Sequence, residues 1–66
     1  MKAILRKINS GCYYADEEYT MYQSFDGFWT LYEDHNGRII RVDGDTNIYD
    51  LVERNNLLLS DEYLRE

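Results

Sequence analysis

The sequence predicts an α+β fold: a small antiparallel β-sheet of three to four strands, connected as a meander, with one C-terminal α-helix packed on one face. Three observations carry this expectation. Residues 25–42 (FDGFWTLYEDHNGRIIRV) hold two aromatic or β-branched runs on either side of Asn36-Gly37, a pair that accepts positive φ. Residues 45–56 carry helix signals at both ends. The 66 residues contain no proline, no repeat and no low-complexity segment, which makes a single domain, 1–66.

The elements follow in order. Residues 2–8 (KAILRKI) read as a first strand, with Ala3, Leu5 and Lys7 on one face and Ile4, Arg6 and Ile8 on the other. Asn9-Ser10-Gly11 is a turn. In residues 12–18, Cys12-Tyr13-Tyr14 can begin a strand, while the acidic run Asp16-Glu17-Glu18 falls on a loop or a strand end. Residues 19–25 alternate, Tyr19, Met21, Gln23 and Phe25 against Thr20, Tyr22 and Ser24, and lack a 3.6-residue stripe, so a strand is preferred. Asp26-Gly27 is expected to form a two-residue primed turn into a strand over 28–33. There Trp29 and Leu31 share one face, and Phe28, Thr30 and Tyr32 the other. The next turn spans 34–37, and 38–42 pair back.

Residues 43–46 (DGDT) break the sheet. Asp45, Thr46 or Asn47 caps a helix, Asp50 lies near its positive end, and Ile48, Leu51, Val52 and Leu58 recur at helical spacing. The helix is expected to end near Asn55-Asn56. Leu57-Leu58-Leu59 either continues the helix or adds a strand, and Ser60-Asp61-Glu62 resembles the start of a short last turn over 61–65. A sheet with aromatics on both faces and a single helix has more apolar surface than the helix covers. One face should therefore stay partly open, and the sequence does not decide which.

A domain this small buries only about 60% of the surface its unfolded chain exposes. Cys12 is the only cysteine and His35 the only histidine, so neither an internal disulfide nor a Cys/His zinc site can supplement the core. Seven tyrosines, two phenylalanines and one tryptophan offer a compact aromatic core instead; self-association is the other route. The lone cysteine and the lack of a signal-like or membrane-spanning apolar run point to a soluble, cytoplasmic protein of a bacterial or infected host cell. Seven basic against thirteen acidic residues give a net charge of −6. That disfavours direct binding to nucleic acid or anionic membranes and favours a basic partner protein, although negative charge also simply keeps a small protein soluble.

Asp43, Asp45 and Asn47 have the spacing that begins an EF-hand calcium loop, but Ile48 stands at the glycine position and Arg54 at the bidentate glutamate position. The segment reads as a solvated strand-to-helix turn, with no metal. His35, in a turn beside Asp34, has no nucleophile in register, and Cys12 reads as a small buried apolar residue. No catalytic residue and no cofactor are assigned, and the protein is expected not to be an enzyme.

The acids at 16–18 and 33–34 are the more informative group, falling at loops and strand ends with tyrosines between them. The predicted partner-binding set is Asp16, Glu17, Glu18, Tyr19, Tyr22, Trp29, Tyr32, Glu33 and Asp34. Tyrosine and tryptophan supply rigid contact area, and carboxylates can stand where a nucleic-acid backbone would place phosphates. The bland alternative is a solvated acidic rim over a tyrosine-filled core. In size and charge the chain is similar to small acidic phage or mobile-element proteins that inhibit host nucleases, including anti-restriction and anti-CRISPR proteins. That likeness implies an inhibitory, nucleic-acid-mimicking protein whose partner is the basic groove of a nuclease or effector complex. The other class is a self-associating structural or regulatory module, joined through the open sheet face or an edge strand at 2–8; a homodimer is compatible with both.

Overall fold

A computed structural model describes residues 2–16 and 18–63, with the backbone alone at 61–63. The elements are β1 (Ala3–Asn9), β2 (Cys12–Ala15), β3 (Tyr19–Gln23), β4 (Trp29–His35), β5 (Arg38–Asp45), α1 (Ile48–Arg54) and β6 (Leu57–Tyr63). The strands form one sheet in the order β5-β4-β3-β2-β1-β6. β1 to β5 make an antiparallel meander, and β6 pairs parallel to β1. The α+β class stands, but the sheet has six strands rather than three to four and is mixed rather than purely antiparallel.

The two added strands are the segments whose local pattern was open. Residues 12–15 join the meander because Cys12 pairs with Tyr22 and Ala15 with Tyr19, which places Tyr13 and Ala15 in the core. At 57–59 the helical continuation is stopped by Asn55 as C-cap and by Asn56 at φ 57°. Leu57 then pairs with Ala3 and Leu59 with Leu5, so those two leucines face the core while Leu58 turns outward. Residues 61–63 extend β6 instead of starting a last helical turn, and 64–65 lie outside the described residues. β5 and β6 run the same way at opposite edges. The chain must therefore return along the strand length between them, and α1 makes that return across one face.

The expected two-residue turn at Asp26-Gly27 is a longer loop. Ser24 N–H donates to Phe28 O (2.9 Å), Gly27 N–H donates to Ser24 O (2.9 Å), and Gly27 lies at φ 89°. Asp26 sets this geometry by accepting from the Ser24 hydroxyl and from Phe28 N–H. Asn36-Gly37 does form the tight turn, with both residues at positive φ and His35 paired to Arg38.

The face carrying Trp29 and Leu31 is the buried one. Its core joins Leu5, Tyr13, Ala15, Met21, Trp29 and Leu31 to Leu51 and Val52 of α1 and to Leu57. Tyr13 and Trp29 meet edge to face at 5.6 Å between centroids. The opposite face bears Ile4, Tyr14, Tyr22, Tyr32, Ile39 and Leu58, and no described element covers it. β1, anticipated as a free edge at 2–8, is interior, flanked by β2 and β6; the edges are β5 and β6. Among the described residues no helix is long and apolar enough to cross a membrane.

This division predicts opposite responses to truncation. Leu31→Ala, at a fully buried position, should cost about 2–5 kcal/mol in urea unfolding, whereas Ile39→Ala, 74% exposed, should stay within about 0.5 kcal/mol.

Candidate functional site

The predicted binding residues divide by sheet face and by sheet end. At the β2–β3 turn Asp16 adopts φ 46°, and Glu18 N–H donates to Ala15 O at 2.9 Å. Asp34 N–H then donates to Glu18 O at 2.8 Å, which joins this turn to the far end of β4. Asp16, Glu18, Glu33 and Asp34 are thereby gathered at one end of the sheet, as Tyr19↔Glu33 pairing requires. Glu17 belongs to the same predicted set but lies outside the described residues.

Tyr19 sits at this end on the helix side, half-buried against the core. Burial raises its phenol pKa, and the charges of Glu33 and Glu18 raise it further. Glu33 also lies 3.0 Å from His35 Nε2. Tyr22 and Tyr32 stand on the open face, where diagonal cross-strand placement brings their rings edge to face at 6.0 Å. Tyr22 is half exposed. Beside them Tyr14, Thr20, Tyr32, Asp34 and Ile39 line a shallow depression.

Trp29 departs from its expected role. Only 8% exposed and packed on Tyr13, it is a core residue and cannot serve as an exposed anchor. The acidic end is also not uniformly acidic, since Lys2 and Arg6 line a hollow together with Asp16 and Glu18. The open face itself carries Arg6 and Arg41. Cys12 is buried, and that burial raises its thiol pKa, while a hydrogen bond with Tyr22 across the strand pair acts in the opposite sense.

A second acidic group has a structural role that sequence reasoning missed. Arg54, the residue that breaks the calcium-loop pattern, places Nε 2.8 Å from Asp43 Oδ2 and Nη1 2.9 Å from Asp45 Oδ2. Asn55 Nδ2 donates to the same Asp43 oxygen at 2.8 Å. Asn47, the third member of the calcium spacing, caps α1 by accepting from Tyr49 N–H and Asp50 N–H. Hydrogen bonding to Arg54, then to Asn55, holds the Asp43 carboxyl far below the usual carboxylate range. Asp45 is lowered too, first by the Asn47 backbone N–H and then by Arg54. The signal for this fork was an arginine nine and eleven residues after two aspartates across a strand–helix junction. Among the described residues no group of three or more His, Cys, Asp or Glu side chains is arranged to hold a metal ion.

No protein-family model, curated protein or solved structure matches the chain.

The fork gives a signed pH prediction. A carboxyl whose folded pKa is depressed stabilises the fold above its unfolded pKa, about 3.9, and that contribution is lost as pH falls through the folded value. Arg54→Met should therefore bring the Asp43 carboxyl, followed by NMR, up toward the ordinary range. The stability gap between variant and parent should be widest near neutrality and close in acid.

Proposed function

We propose that this protein is a non-enzymatic binding protein that inhibits its partner by occupying a basic surface. The contact would be made by the acidic end of the sheet, with Tyr22 and Tyr32 on the adjoining open face supplying contact area. The observation that carries this reading is the Asp34 N–H to Glu18 O bond, which holds acids from two separate stretches at one end of the sheet. Exposed carboxylates on a rigid sheet end are pre-organised for Lys and Arg, and adjacent tyrosines add area at low entropic cost. Arg6 and Arg41 restrict the nucleic-acid-like character to that end rather than to the whole open face.

The chemistry fits the nucleic-acid-binding groove of a nuclease or effector complex, with the carboxylates standing where phosphates would lie. The setting that suits it is the cytoplasm of a bacterial or infected cell, and the role is that of a phage or mobile-element inhibitor of anti-CRISPR or anti-restriction type. Tyr19 and Glu33 contribute from the helix-side rim, and Trp29 contributes only by holding the sheet rigid.

Immobilised protein exposed to nuclease-treated bacterial lysate should retain nucleic-acid-binding proteins that elute as salt rises, since exposed charge pairs are screened over about 10 Å at 0.1 M. Asp16→Asn, Glu18→Gln and Asp34→Asn together should weaken the retained interaction at least about tenfold. Retention that resists salt and survives the triple change would contradict the charge-based reading.

A further inference from the structure

We infer that the depression between Tyr14 and Tyr32 on the open face is a socket for one arginine side chain of the partner, whose guanidinium stacks on the tyrosine rings and pairs with Asp34. This rests on the partner's being basic, as proposed above, and adds which side chain is read and where.

The socket is built by strand register. Arg41 pairs with Tyr32, Tyr32 with Thr20, Thr20 with Tyr14 and Tyr14 with Arg6, so five strands set these residues in one row across the open face. Thr20, the smallest side chain of the row, stands between the two tyrosines. The result is a depression of about 230 Å³ lined by Tyr14, Thr20, Tyr32, Glu33, Asp34 and Ile39. β2 and β4 lie two strand spacings apart, about 9.6 Å. A cation over Thr20 is therefore in reach of both rings, since cation–π contacts act to roughly 6 Å from a ring centroid. Tyr22 meets Tyr32 edge to face at 6.0 Å. It belongs to the next row away from the acidic end, and so braces that ring without lining the depression.

Charge selects the occupant. Asp34 closes the depression toward the acidic end. Its backbone is fixed by the N–H bond to Glu18 O at 2.8 Å, while its carboxylate has no hydrogen bond or ion pair among the described residues. Glu33, by contrast, lies 3.0 Å from His35 Nε2. The chain's own arginines leave the socket open. Arg41 sends Nη2 away from the acidic end, to 3.0 Å from where a Cβ on Gly44 would stand. Arg6 lines the hollows beside Asp16, on the far side of Tyr14, and neither arginine lines the depression. A guanidinium suits this set better than an ammonium, because it is flat enough to stack on a ring and presents a fork of N–H donors to a carboxylate.

Titration of the isotopically labelled full chain with acetyl-Gly-Arg-Gly amide at low salt should move the amides of Tyr14, Thr20, Tyr32 and Asp34, with a dissociation constant of about 1–10 mM. The lysine counterpart should bind about three- to fivefold more weakly, and the neutral citrulline counterpart should move none of them. Tyr14→Leu and Tyr32→Leu change no charge; each should raise the constant about threefold and both together about tenfold, while Tyr14→Phe and Tyr32→Phe keep it within about twofold. Asp34→Asn should raise it about fivefold. All variants should keep the parent's circular dichroism, and the peptide comparison needs no variant. Equal shifts from the arginine and lysine peptides, indifferent to both leucine changes, overturn the socket; salt-eluted lysate retention that ignores the same changes then leaves the acidic-end reading standing. Shifts at these residues caused by a short oligothymidylate and by neither cation overturn it in favour of base stacking.

Discussion

One short helix has to serve a six-stranded sheet. The seven residues of α1 span roughly 10 Å at 1.5 Å per residue, while six strands about 4.8 Å apart would measure about 24 Å across if laid flat, so a helix that packs on both edge strands requires the sheet to curl around it. The helix therefore covers only part of one face, packing over β6, β5 and β4, and no described helix or strand covers the other. The core gathers where the helix lands, from Leu51 and Val52 onto Leu5, Met21 and Leu31, with the Tyr13–Trp29 pair supplying bulk. Arg54 fixes where that is, because its fork to Asp43 and Asp45 clamps the end of α1 onto β5. The uncovered face can meet water because its large residues include Tyr14, Tyr22 and Tyr32, which carry polar hydroxyls on rings that shield the strands.

The same topology assembles the acidic end. In a meander alternate turns fall at the same end of the sheet, so the β2–β3 turn and the β4–β5 turn are neighbours. Asp16 and Glu18, and Glu33 and Asp34, unremarkable as separate clusters, come together at one end of the sheet for that reason. Other carboxylates are put to different uses. Asp26 organises the loop at the far end, Asp43 and Asp45 hold Arg54, and Asp50 lies in the first turn of α1. The net charge of −6 is thus a sum of local roles, and only part of it is available for recognition.

What the sequence made legible was local. Asn36-Gly37 announced its hairpin because positive φ is a residue-level requirement, and Asn47 and Asn55 marked the ends of α1. β6 was not legible because its strand character comes from β1, more than fifty residues away. A leucine run fits helix and strand equally until Leu57 finds Ala3. Trp29 was misplaced for a related reason: alternation separates it from Tyr32, but only the landing site of α1 decides which of the two is buried. The Asp26-Gly27 turn was misread because the side chain of Asp26, bonding to Ser24 and Phe28, competes with the tighter turn. The fork at Arg54 was hidden within a failed calcium motif, where the disqualifying residue is the structurally informative one.

The central claim is that recognition resides in the acidic end and its adjoining tyrosines, not in net charge. The most direct test is a titration of the isotopically labelled protein with a short arginine-rich peptide, followed by amide shifts at low salt. The account predicts that shifts concentrate at Asp16, Glu18, Tyr22, Tyr32, Glu33 and Asp34 and leave Asp50 and Glu53 of α1 unmoved. Shifts centred on α1, or spread evenly over every exposed carboxylate, would contradict it.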